Sequence, residues 1–103
     1  MFDQWRVSEE YPTLFLLSRP VWVDTARVLP ASGIRQDQVP LWVRAYGLRV
    51  EPRILGRQTA WLRRSDGGWL AVVEVSAASS NGQSQISTTL WLTPEVISPA
   101  PDT

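Results

Sequence analysis

The 103-residue chain contains no cysteine, no histidine and no lysine. Without Cys or His it lacks Ser-His-Asp and Cys-His machinery, a thiolate nucleophile and any imidazole ligand, which excludes the usual zinc and haem sites. Disulfides leave the argument too, although their absence names no compartment. No stretch approaches the roughly 20 apolar residues of a membrane-spanning helix. The opening MFDQWRVSEE lacks the basic segment of a signal peptide, so the expectation is a cytoplasmic protein away from membranes. Neither a GxxxxGK nor a GxGxxG phosphate loop occurs, and SDGGW at 65–69 reads as a turn. The ten carboxylates are scattered, with Glu9 and Glu10 the single adjacent pair. The sequence therefore reads as non-catalytic, with no cofactor, no metal and no small-molecule substrate.

All ten basic residues are Arg, balanced by ten Asp and Glu. A GC-rich genome accounts for this, as does selection for planar, bidentate donors that bind phosphate or carboxylate and stack on aromatics. The charge is unevenly spread. Residues 27–64 hold Arg27, Arg35, Arg44, Arg49, Arg53, Arg57, Arg63 and Arg64 against Asp37 and Glu51, while the remainder is acidic. Such a dipolar chain can present a basic face to a polyanion or dock on an oppositely arranged copy of itself.

Two turn signals organise the second half. Asp66-Gly67 and Asn81-Gly82 separate the apolar runs GRQTAWLRR, WLAVVEVSA and SQISTTLWL, and these dipeptides favour two-residue hairpin loops because they tolerate positive φ. That loop choice places Trp61 opposite Val72 and Val72 opposite Trp91. Side chains alternate between faces along a strand. One face then gathers Ala60, Leu62, Trp69, Ala71, Val73, Val75, Ile86, Leu90 and Leu92 as a core. The other carries Arg57, Trp61, Arg63, Val72, Glu74 and Trp91, with Glu74 suited to a cross-strand ion pair.

In the first half, prolines at 12, 20, 30, 40 and 52 argue against a long helix. PVWVDTARV at 20–28 and PLWVRAYGLRV at 40–50 both read as strands that begin at Pro and turn Trp22 and Trp42 away from flanking aliphatics. YPTLFLLS fits a short buried strand or an apolar lead-in, and PASGIRQDQVP fits a loop. Thr93-Pro94 predicts one helical turn. The chain is expected to form one domain over 1–97 with a disordered tail over 98–103. The fold class is all-β: a small antiparallel barrel or two-layer sandwich of about five strands, with SH3-like or OB-like closure fitting the count.

Trp22, Trp42, Trp61 and Trp91 all oppose the core aliphatics in this scheme, and four exposed indoles exceed what a soluble monomer tolerates. Either residues 1–17 or a second strand layer cover them, or a partner does. The reading is a domain that mediates protein association, self-association included, through Trp61, Trp91, Val72, Trp22, Trp42, Arg57 and Arg63. The alternative is a small nucleic-acid-binding domain with the Arg-rich segment as its basic surface and the indoles as stacking platforms.

Overall fold

The hairpins of the second half and one long strand of the first build a single antiparallel sheet in the computed structural model, which describes residues 1–101. The strands are β1 (Leu14–Asp24), β2 (Arg53–Arg63), β3 (Trp69–Ala78), β4 (Gln85–Leu92) and β5 (Ile97–Pro99). They lie in the order β4-β3-β2-β1-β5. The all-β class and the five antiparallel strands are as the sequence predicts, and a 3-10 turn at Pro94–Val96 follows Thr93. Closure into a barrel is not found: β4 and β5 are the two edges of one open sheet. No helix among the described residues is long and apolar enough to cross a membrane.

The β3–β4 hairpin has the predicted register, pairing Ala71 with Leu92, Val72 with Trp91 and Val73 with Leu90. Its loop is longer than two residues. Ser79 N–H bonds the Ser84 carbonyl, and Gly82, at φ +75°, bonds the Ser79 carbonyl. Widening a loop by one residue on each side leaves the pairing unchanged, which is why the register survives.

The β2–β3 hairpin departs from expectation. Arg64 N–H bonds the Gly68 carbonyl and Gly67 N–H bonds the Arg64 carbonyl, so Ser65-Asp66-Gly67 forms a three-residue loop with Gly67 at φ +93°. The odd residue slips the register by one: Trp61 pairs with Ala71 and Ala60 with Val72. A one-residue slip exchanges the faces of a strand, so Trp61 and Arg63 join the core face, whereas Ala60 and Leu62 leave it. At Thr59 the register shifts between Gln58 and Ala60, returning Arg57 to the side opposite the core.

The core lies on the face of Val21, Val23, Ala71, Val73, Val75 and Leu92. One end of it is closed by the single turn α1 (Thr25–Val28) and the Pro94–Val96 turn, through Val28 and Val96. An Arg27 Nη1 bond of 3.0 Å to the Glu95 carbonyl ties these two pieces together.

Two other segments differ from the sequence reading. Residues 40–50 contain no strand; α2 (Leu41–Tyr46) occupies them, with Pro40 before its first residue and Gly47 after its last. Pro at the start and Gly at the end are helix punctuation as much as strand punctuation, and Leu, Arg and Ala favour the helix. The expected tail begins as strand, since Ser98 and Pro99 belong to β5 and Ala100 N–H bonds the Pro20 carbonyl at 3.2 Å. Asp102 and Thr103 of that tail lie outside the described residues.

Candidate association surface

At the end of the sheet away from α1, where β1 and β3 begin and β2 ends, three rings meet. Phe15 lies 5.6 Å from Trp69, and Trp61 meets Trp69 edge-on at 6.4 Å and 81°. With Pro94 they line an open, apolar cleft of about 540 Å³. Arg63 stacks over Trp69 at 4.8 Å and Arg19 lies 5.9 Å from the Trp61 ring, so guanidinium planes rim the aromatic floor.

Beneath this cleft the core is tuned by one polar side chain. Gln58 is fully buried; its Nε2 donates to the Ala60 carbonyl at 3.1 Å and its Oε1 accepts from Arg19 Nε at 2.8 Å. The amide thus bridges the Thr59 bulge, and both of its ends are satisfied.

The opposite face holds a different set. Trp91 on β4 is 70% exposed, while its cross-strand neighbour Val72 is fully buried. Trp22 on β1 is half-buried under Arg53, whose guanidinium lies 4.5 Å from the ring. Arg57 Nη1 donates to Ser18 Oγ at 3.0 Å. In the strand register Arg53 lies beside Asp24 and Arg57 beside Glu74, so acids offset the basic strip here. Glu74 stands exposed opposite Arg57 and Thr89.

The predicted row of Trp61, Val72 and Trp91 is therefore not a surface. Trp61 belongs to the core face, Val72 is covered, and Trp91 is the member left exposed. Trp42 is 68% exposed, but on α2 rather than on a strand.

The sequence reading missed the excursion between β1 and β2. Its backbone is fixed to the β3–β4 hairpin: Arg49 N–H bonds the Ala78 carbonyl, and the Gly47 and Ala45 carbonyls accept from Ser80 and Asn81 at 3.0 and 2.8 Å. Its side chains are not. Leu41, Trp42, Val43, Tyr46, Leu48 and Val50 are all exposed, and α2 contains no buried residue. The visible signal was a Pro-to-Gly span in which Arg44 is the single charged residue among Leu41, Trp42, Val43, Ala45 and Tyr46, more apolar surface than a short helix on a small sheet can bury alone.

Two carboxyls are held below their ordinary range. The Gly68 N–H, 3.0 Å from Asp66 Oδ1, lowers Asp66, helped by Arg64 Nη2 at 2.6 Å from Oδ2. Glu95 is lowered by its own backbone N–H, then by the Thr93 side chain and the charge of Arg27. No group of three or more Asp or Glu that could hold a metal ion occurs among the described residues. Comparison with protein-family models, with curated proteins and with solved structures finds no match to this chain.

Proposed function

We propose that this chain is a non-catalytic protein-association domain, a subunit whose apolar surface is covered by another protein chain, itself included. The observation that carries this reading is the accessible surface of 7765 Å², against about 5,800 Å² expected for a folded monomer of 11.6 kDa. The excess of roughly 1,900 Å² is more than the ~800 Å² that each partner gives to a stable interface. The surface side chains have the chemistry of such interfaces: Trp91 on β4 and Trp42 and Leu41 on α2 are exposed, and half-buried Trp22 lies beneath Arg53. Trp and Arg are enriched in binding hot spots, Trp because it buries large area with two side-chain torsions and Arg because its planar guanidinium stacks and makes several hydrogen bonds at once.

Light scattering on a sizing column, at several concentrations and at low and high salt, tests the reading. A mass of two or more subunits that persists in high salt is expected. Trp91→Ala and Trp42→Ala should each weaken the assembly by about 2 kcal/mol. A mass fixed at 11.6 kDa under every condition, with no protein partner retained by the Trp surface, overturns it. The Arg53–Trp22 stack also suits a nucleic-acid base, and that second reading requires Arg57→Ala to lower the salt slope of DNA or RNA binding by about one.

A further inference from the structure

We infer that the free edge of β4 is a self-pairing edge, on which a second copy of this chain adds its own β4 antiparallel across a twofold axis at Thr88. This rests on the association reading and names its partner. Residues 75–94, between Glu74 and Glu95, contain no charged residue, although 19% of the chain is charged. β4 lies wholly within that stretch, holds no proline, and is the last strand of the sheet among the described residues. Edge strands are ordinarily guarded by charge, proline, bulges or short length. The other side of the sheet has those guards: β1 carries Arg19, Pro20 and a register shift after Leu16, and its edge over Val21–Val23 is taken by the three-residue β5.

The backbone directions follow from the two hairpin loops. The Ser79–Ser84 bond and the Arg64–Gly68 bond both set odd-numbered residues of β3 toward β4, because hydrogen-bonded and non-bonded pairs alternate along an antiparallel ladder. In the register of β3 with β4, the even residues of β4 then bond to β3. Gln85, Ser87, Thr89 and Trp91 aim their N–H and C=O groups outward. The 2.8 Å contact between Ser76 Oγ and Ser87 Oγ fits this, since side chains approach most closely at non-bonded pairs.

Keeping like faces together requires the paired residue numbers to share parity. The register that partners all four outward residues sets Gln85 against Trp91 and Ser87 against Thr89 of the second copy. Thr88 then meets its own symmetry mate. A neutral strand accepts an identical copy without like-charge repulsion, and the merged sheet joins the apolar rows of Ile86, Leu90 and Leu92 from both copies. The exposed surface in excess of a monomer's is enough for such a contact and for further burial beside it.

The chain has no native cysteine, so a single introduced thiol reports this geometry directly. Non-bonded antiparallel pairs place Cα atoms about 4.5 Å apart, within disulfide reach. Thr88→Cys is expected to give a covalent dimer under mild oxidation, whereas Ser80→Cys in the hairpin loop is not. Thr89→Pro removes one outward donor per copy and leaves the bonds to β3 intact; losing two bonds per dimer should raise the dissociation constant about tenfold. An assembly that persists by light scattering, yet crosslinks no better at 88 than at 80 and ignores Thr89→Pro, overturns the edge pairing while leaving association standing. A strict monomer at every concentration overturns self-pairing and assigns the edge to no second copy.

Discussion

Gly56 shows how closely β2 approaches β3. A Cβ there would lie 2.7 Å from Val73 Cγ1 and 2.9 Å from the Glu74 carbonyl oxygen, and the backbone oxygen cannot yield as a flexible side chain would. Gly56→Ala should therefore destabilise the fold by about 1–3 kcal/mol, read as a lower urea midpoint with unchanged slope. Gln58 acts in the opposite sense, filling space with hydrogen bonds. Gln58→Met keeps much of the volume but removes one hydrogen bond to the Ala60 carbonyl and the acceptor of Arg19. A loss of about 1–3 kcal/mol is expected, and a variant as stable as the parent would mean that water replaces the amide at no cost.

Among the elements, the β2–β3 hairpin is closed by Asp66, which accepts from Gly68 N–H and pairs with Arg64. Because folding lowers this carboxyl, its contribution is complete above the ordinary value of 3.8 and is lost as pH falls through the folded value. Asp66→Asn keeps an acceptor for Gly68 and removes the charge. The unfolding midpoints of parent and variant should converge as pH falls below the ordinary carboxylate value, and a constant gap would assign the loop's stability to geometry alone. The same loop carries a second constraint: Gly67 at φ +93° makes Gly67→Ala cost about 1–2 kcal/mol. In α2 the balance reverses. Its anchors are backbone bonds from Gly47 and Ala45 to the β3–β4 loop, so Trp42→Ala should leave the melting temperature of the isolated chain almost unchanged while weakening assembly.

For the whole molecule, extent and surface agree. The Cα radius of gyration is 16.6 Å, against about 13 Å for a compact domain of this length, and the principal extents are 56 × 28 × 28 Å. An open sheet with a helix-bearing excursion at one end cannot bury both of its faces. Trp61 and Trp91 therefore have different fates in mutation: Trp61, packed on Trp69 and the core, should reduce stability when changed to Ala, whereas Trp91 should reduce association. Equal effects of the two variants on the unfolding midpoint would contradict the assignment of Trp91 to a surface.

Much of this was legible in the residues. The strand alternation of 69–92 and the Asn81-Gly82 signal were enough for the β3–β4 register, because a loop widened evenly preserves pairing. Thr93-Pro94 marked its turn for the same local reason. The face of Trp61 was not legible: it depends on whether the Asp66-Gly67 turn spans two residues or three, a choice of backbone conformation that the dipeptide permits either way. The Thr59 bulge was equally hidden, since it exists to bring Gln58 under Arg19, a contact 39 residues apart. PLWVRAYG became a helix once Gly47 and Ala45 found donors on Ser80 and Asn81. Local sequence determined the strands and turns, and only the tertiary pairing decided which indoles face the core, because one residue of register reverses the two sides of a sheet.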